Sequence, residues 1–422
     1  MGSTRGILHD QPAVTDPDPR RSLVAVVDRD TGEVTVISGA DTDPRAQVLL
    51  RDGRRTLALV ELEGAADAAE RALASHPDPA PSRGWEDGAG RDIPATVIVC
   101  TLGRNPLLPL TVDALLAQTH RRAEIIIVDN DPASGATRQL LDGHRDPRLR
   151  IVEEPHPGLS RARNTGVAAA TGEIIAFTDD DALPHPTWLA SLLDVFASAP
   201  PGEIGAVTGP AFAAELQSRS QRFFEARGGF PAQPEPLVWS LSDPSPHCAR
   251  FGARGEGGPL FPVATARVGA GVSMAFSRPA LDALGDFDVR LGAGTLTNGG
   301  EDLDAFARVL DAGLTIIYNP DAVVHHVHRR DMAGLEKQIH GNGTGMAALL
   351  TVSLLRHPAR LGLLLRRVPS ILSRVAPGTE RMQGNEDDVP AALSRQEITG
   401  FLRGPVLLVR EILRQRRTRG RN

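Results

Sequence analysis

The chain has 422 residues, 41% of them apolar, and a formal net charge of −6. That is enough apolar side chain for a sizeable core and suits one large α/β domain with appendages, while the acidic balance excludes an overall nucleic-acid footprint. Two cysteines, Cys100 and Cys248, exclude a disulfide framework. With no apolar leader at the start and no apolar run near the ~18 residues of a membrane span, the expected setting is cytoplasmic. Charge is unevenly spread: residues 356–422 hold 14 Arg against 6 Asp plus Glu, a net of +8, which leaves −14 on the rest. Such a basic tail is expected to meet something anionic.

Residues 1–21 are polar and Pro-rich and are expected to be disordered. Residues 22–76 read as a small, separate α+β module: SLVAVVDRDTGEVTVI is a hairpin around Asp-Thr-Gly, RTLALVELE a strand and AADAAERALASH a short helix. Residues 77–94 have linker composition. From Ala95 apolar strands alternate with helical stretches: ATVIVCT, AEIIIVDN, LRIVEE, EIIAFTDDD and EIGAVTGPAF against PLLPLTVDALLAQ, SGATRQLLDGH, GLSRARNTGVAAATG and HPTWLASLLDVFASA. Strands apolar throughout, separated by helices, predict a parallel sheet covered on both faces, with ligands bound beyond the strands' carboxyl ends. The polar residues at those ends are Thr101, Asp129, Asn130 and Asp179–Asp181. A long loop-like region follows residue 212; GAGVSMAFSRPALDALGDFD then reads as strand and helix. NGGEDLDAFARVLDAG reads as a helix with Asn298 as its N-cap and Gly313 as its stop. Residues 333–422 are expected to be a basic, amphipathic helical tail. In it Leu361, Leu364, Leu365, Val368, Leu372 and Val375 fall at helical spacing between arginines, and Pro369 is expected to kink the helix. Such a helix either packs on the core or lies on an anionic lipid surface.

Three residue groups carry chemistry. Asp179, Asp180 and Asp181 end an apolar strand. A helix N-cap accounts for one of them and not for three, whereas two carboxylates one residue apart can hold a hard divalent cation and leave other positions open for phosphate oxygens. The stretch lacks the Gly and Glu of an EF-hand loop. Glu301 and Asp302 stand in the first turn of a helix, either complementing its dipole or presenting a general base at a cleft. His326 and His328 alternate along VVHHVHRR, as ligands, phosphate contacts or a solvated strand face.

Residues 95–332 resemble the family 2 glycosyltransferases of the GT-A fold. The stretches VIVCTLGRNPLL, EIIIVDNDP, GLSRARNTG, IIAFTDDDALPHPTWL, GEDLDAFARVLDAG and AVVHHVHRR carry the resemblance, in matching order and spacing. It implies a Rossmann-type, mostly parallel sheet and a metal-dependent, inverting transfer of sugar from a nucleotide-sugar donor, most often a UDP-sugar, to a glycan or lipid-linked acceptor. Thr101 and Asp129 are then expected at the nucleobase, with Arg104 and Arg163 near the base and diphosphate. Asp179 and Asp181 are expected as the ends of the D-x-D motif at ribose and metal. Asp180 lies between them as a further donor contact, so the triplet admits more than one ligating pair. His326 is expected to complete the metal site, with His328 and Arg329 on the diphosphate. Asp302 is expected as general base with Glu301 beside it. Oxygen ligands alone suit Mg²⁺; an added imidazole moves the preference toward Mn²⁺. The basic tail is expected to give peripheral contact with the inner face of the membrane. Two other classes share such a sheet: a non-catalytic nucleotide-sugar-binding protein, which would lose Asp302 or the triplet, and a sugar-phosphate nucleotidyltransferase, which would open with a Gly-rich basic loop that CTLGRNPLL is not.

Overall fold

The computed structural model describes residues 6–12, 14, 16–76, 81–258, 260–375 and 389–419. β1 (Pro17–Asp28), β2 (Val34–Ser38), β3 (Arg45–Asp52), β4 (Arg55–Glu63) and α1 (Ala68–Ser75) come first. β1 and β2 form the hairpin around Asp-Thr-Gly, β3 lies parallel to β1, and β4 returns antiparallel on β3. Period-two alternation decides where this sheet goes. Leu23, Ala25, Val27, Val48 and Leu50 pack on Ala68 and Ala72 of α1. Val24, Val26 and Leu49 face the other way and pack with Phe212, Leu216 and Val323 of the main body.

The N-terminal unit is therefore not separate, as the sequence suggested, but buried on both faces. Residues 6–12 and 16–21 are also ordered rather than disordered: Leu8 is buried in the shared cluster, and Asp18 pairs with Arg222 at 2.6 Å. Residues 1–5, 13 and 15 lie outside the described residues. Nor is the stretch 81–94 a free linker. Trp85 is buried against Phe251, and Arg83 is paired with Asp321, each side chain 1% exposed. Residues 77–80 lie outside the described residues.

The main body alternates β5 (Ala95–Thr101), α2 (Leu108–Leu116), β6 (Ala123–Asp129), α3 (Ala136–Leu140), β7 (Leu149–Glu153), α4 (Leu159–Ala169), β8 (Ile174–Asp179), β9 (Ala182–Pro184), α5 (Trp188–Ala197) and β10 (Ile204–Thr208). It continues through β11 (Ala211–Ala213), β12 (Leu216–Ser218), α6 (Arg219–Ala226), β13 (Leu237–Trp239), α7 (Pro246–Ala249), β14 (Ala253–Arg254), β15 (Met274–Ser277) and α8 (Arg278–Leu284). α9 (Glu301–Asp311), β16 (Thr315–Tyr318) and β17 (Val324–His326) complete it. Nine strands form one sheet in the order β14-β13-β16-β10-β15-β8-β5-β6-β7. β5, β6, β7 and β8 are parallel; β15 is antiparallel to both β8 and β10, so β10 points the same way as β8. β15 enters after a long excursion and not through a βα crossover, so nothing obliges it to run parallel. Two apolar clusters cover the sheet, one centred on Val97, Val99, Trp188 and Leu192, the other on Ile98, Phe177, Phe276 and Phe306.

Three short strand pairings position the site. β17 lies antiparallel to β9 and parallel to β11. β12 pairs with β1 and so joins the N-terminal sheet to the body. The chain then forms α10 (Met332–Arg356), α11 (Arg360–Val375), which runs through Pro369, and a C-terminal helix, Ala391–Arg419. The last helix lies backbone-to-backbone on α10, because a Cβ at Gly400 would fall 2.2 Å from the His340 carbonyl and one at Gly404 2.6 Å from the Ala347 Cβ. Among the described residues no helix is long and apolar enough to cross a membrane.

Asp321 clasps the N-terminal unit. Its carboxylate accepts from Thr56 N at 2.8 Å, from Arg55 at 3.2 Å and from Arg83 Nε at 3.2 Å. Asp321→Ala leaves the buried Arg83 guanidinium only its 3.8 Å contact with the exposed Glu235 as counter-charge, and urea unfolding is expected to show a loss of ~3–5 kcal/mol.

Candidate active site

The parallel strands end level with one another. Thr101 is in register with Asp129, and Cys100 with Asp179, so the carboxyl ends of β5, β6 and β8 present Thr101, Asp129 and Asp179 along one edge. Immediately after β8 the chain turns into β9, and β9 brings Ala182 opposite His326 of β17. That pairing, reinforced by Val327 N donating to the Asp181 carbonyl, sets the His326 ring against Asp181 with Nε2 3.0 Å from Oδ1. One atom each of Asp179, Asp181 and His326 lie within 4.8 Å of one another.

The third carboxylate of the triplet is held elsewhere. Asp180 accepts from the Thr101 hydroxyl at 2.5 Å and from Asn105 Nδ2 at 3.1 Å. Burial and the Asp181 charge push its pKa up to about 6 against those two hydrogen bonds. Burial, then the Asp181 charge, also raises Asp179. Burial would raise Asp181 too, but His326, by charge and hydrogen bond, and Arg329 outweigh it and hold that carboxyl low. Burial would likewise lower His326, and Asp181 reverses the direction. Two acidic oxygens and an imidazole nitrogen, partly uncompensated in charge, fit a divalent cation that accepts mixed oxygen and nitrogen ligands.

Asp302 stands in the first turn of α9, near enough for its charge to act on Arg163 and Asp179. Its Oδ2 accepts from Gly271 N at 2.8 Å. The glycine matters sterically, since a Cβ there would lie 2.6 Å from Arg163 Nη2 and 3.4 Å from Asp302 Oδ2. Glu301 points inward instead: it is buried and accepts from Arg163 Nη1 at 2.9 Å. Burial, then the Asp302 charge, raises Glu301 to about 7 despite the guanidinium. Arg163 is equally buried and its Nη2 lies 4.0 Å from Asp179, so it backs the acidic cluster rather than reaching a base at the rim. α9 begins after Gly300, in left-handed conformation at φ 88°; Asn298, expected as its cap, lies two residues outside, itself at φ 57°.

The remaining candidates divide. Asp129 is fully buried; its Oδ1 accepts from Asp131 N at 3.1 Å, and its Oδ2 finds no partner among the described residues. Arg104 lies at the rim, exposed and 2.9 Å from Asp131. Arg329 is exposed and 3.9 Å from Asp181. His328 does not open into the cleft: its Nε2 lies 2.6 Å from Glu225 and its Nδ1 3.1 Å from His326 Nδ1, with the side chain 1% exposed. It backs His326, as an outer hydrogen-bond partner fixes the ring of a ligating histidine. Asn105, Gly271 and Glu225 escaped the sequence reading. GRN after the first strand and the glycines of GAGVSM were the available signals for the first two; nothing local marked Glu225.

Removing Arg163 tests this electrostatic frame. Arg163→Met leaves Glu301 buried without its cation, and urea unfolding is expected to show a loss of ~3–5 kcal/mol, largely recovered in Arg163→Met/Glu301→Met.

Comparison with known proteins adds the following. The sequence model described as glycosyl transferase family 2 matches residues 96–253. The succinoglycan biosynthesis protein ExoM of Rhizobium meliloti is 30% identical over 266 residues, 60% of this chain and 74% of that one. A pre-mycofactocin glycosyltransferase of Mycobacterium tuberculosis is 29% identical over 322 residues, 75% of this chain and 57% of its own length. Among solved structures, a mannosyltransferase from Pyrobaculum calidifontis in complex with GDP-Man and Mn²⁺ aligns with a TM-score of 0.46 and 19% identity over 79% of this chain and 92% of that one.

Proposed function

Because the chain belongs to glycosyltransferase family 2, we propose that this cleft performs a metal-dependent, inverting sugar transfer from a nucleotide-sugar to a hydroxyl of a glycan or lipid-linked acceptor. The observation that supports it best is the convergence of Asp179, Asp181 and His326, with Asp302, held by a backbone donor, near enough for its charge to act on Asp179. We assign to Asp129, whose carboxylate oxygen at the strand ends is unpartnered among the described residues, the nucleobase N–H, with Thr101 beside it. Asp179, Asp181 and His326 would hold a divalent cation, which would supply Lewis-acid stabilisation of the diphosphate leaving group. Arg329, exposed beside the same cluster, adds a positive charge there. Asp302 accepts the proton of the acceptor hydroxyl as that oxygen attacks the anomeric carbon; the Gly271 hydrogen bond fixes the carboxylate while the proton moves. A single base and a single displacement give inversion. Glu301 orients Arg163 and takes no proton from substrate. The relationship to a succinoglycan biosynthesis protein favours a saccharide acceptor, and a UDP-sugar is the donor to try first.

The C-terminal helix supports peripheral membrane contact. Leu402, Val406, Val409 and Leu413 recur at helical spacing on its outer face, and Leu402 is 73% exposed. The exposed Arg403, Arg410 and Arg417 flank that stripe. Apolar side chains at the headgroup boundary with arginines beside them fit an anionic lipid surface. Co-sedimentation with vesicles of phosphatidylglycerol is expected for the full chain and is expected to fall at least tenfold in Leu402→Glu/Val409→Glu; equal binding by both proteins, or none by either, removes this contact.

The catalytic assignment is tested in two steps. A thermal-shift screen with UDP, GDP and dTDP, each with and without Mn²⁺, is expected to give a metal-dependent shift for one nucleotide, worth ~2.7 kcal/mol at about 100 times its dissociation constant. Asp302→Asn is then expected to keep that shift and to lower turnover ~10²–10⁴-fold. Unchanged turnover in Asp302→Asn would remove it as the base.

A further inference from the structure

A cavity of about 640 Å³ opens beside the cleft and is absorbed by none of the roles above. Glu225, Phe230, Trp239, Glu256 and Arg267 are among the residues that line it. Two of its lining residues touch the histidines of the candidate metal site. The Phe230 ring stands edge-on to His326 with centroids 5.2 Å apart, and Glu225 carries the hydrogen bond to His328. The cavity thus adjoins the candidate metal ligands, one aromatic ring away from His326.

Its polar groups are left open in an informative way. Trp239 is 1% exposed, and its Nε1 has no acceptor among the described residues. A buried indole N–H without a partner carries a desolvation cost that a ligand acceptor would remove. Glu256 and Arg267 have opposite charges and line the same cavity, yet no ion pair joins them among the described residues. Donors and acceptors are therefore both on offer, next to aromatic surface. A lipid tail would leave all of them unpaired, and a phosphate would meet two carboxylates, Glu225 and Glu256, against Arg267 and an Arg254 already paired with Asp243. A sugar hydroxyl both donates and accepts, and a pyranose adds an apolar C–H face for aromatic side chains.

We propose that this cavity binds a pyranose ring of the acceptor, with Glu256 accepting from its hydroxyls, Arg267 and Trp239 Nε1 donating to them, and Phe230 packing on its C–H face. This rests on the sugar-transfer reading above and names the acceptor-side subsite for it. Saturation-transfer NMR on the full chain, with Mn²⁺ and the nucleotide that shifts its melting, tests it using methyl β-D-glucopyranoside, methyl β-D-galactopyranoside and octyl phosphate as probes. At least one glycoside is expected to bind in preference to octyl phosphate, and Glu256→Gln and Arg267→Ala are each expected to weaken it tenfold or more, as loss of a charge-assisted hydrogen bond does. Both positions are at least partly exposed, so both variants are expected to keep the metal-dependent nucleotide shift. Glycoside binding unaffected by either substitution, preference for octyl phosphate, or no glycoside binding in a protein that still binds nucleotide and metal would each overturn the proposal. Absence of the nucleotide shift in the unsubstituted protein would instead overturn the transfer reading on which it rests.

Discussion

Three consecutive carboxylates at the end of a buried strand are the constraint around which this molecule is organised. Like charges one and two residues apart cannot all stay ionised out of water without compensation. The chain resolves the conflict by sending the three side chains to different partners. Asp180 goes to Thr101 and Asn105, Asp179 lies toward Arg163, and Asp181 is held by His326. Compensation is incomplete, since Asp179 and Asp180 are still raised. That imbalance accords with the convergence of Asp179, Asp181 and His326, a ligand set suited to a divalent cation.

Much of the surrounding structure serves to hold His326 where Asp181 needs it. β17 is fixed between β9 and β11. Ahead of it Asp321 is clasped by Arg55 and Arg83; after it Arg330 pairs with Glu215 at 2.7 Å, and the Arg329 carbonyl accepts from Ser220 at 2.8 Å. Behind it His328 and Glu225 close the chain of hydrogen bonds. The N-terminal sheet, remote in sequence from the carboxylates, contributes through Arg55 and through the pairing of β1 with β12, which leads into α6 and Glu225. A ligand set assembled from a strand end and a short edge strand needs such external support, because neither element is rigid alone.

The legible part of the fold was the part written in local pattern. Apolar strands alternating with helices disclosed the parallel core from β5 to β10, and the strand-end positions of Thr101, Asp129 and Asp179 followed from it. What stayed hidden depended on contacts far apart in sequence. Asn105 meets Asp180 across 75 residues, and Glu225 meets His328 across 103. Composition misled at the N-terminus: the Pro- and Gly-rich stretch before β5 read as a linker although it contains Arg83 and Trp85, whose burial depends on Asp321 and Phe251. The two acidic residues opening α9 looked alike, and only tertiary packing separates Glu301, turned into Arg163, from Asp302, turned to the cleft.

The most direct test of the central claim is electron paramagnetic resonance of Mn²⁺ titrated into the full chain with its nucleotide. One bound ion per chain is predicted, with affinity lowered ~10-fold or more in His326→Ala and in Asp181→Asn and retained in Asp180→Asn. Undiminished Mn²⁺ binding in His326→Ala and Asp181→Asn, or loss of binding in Asp180→Asn alone, would contradict the account.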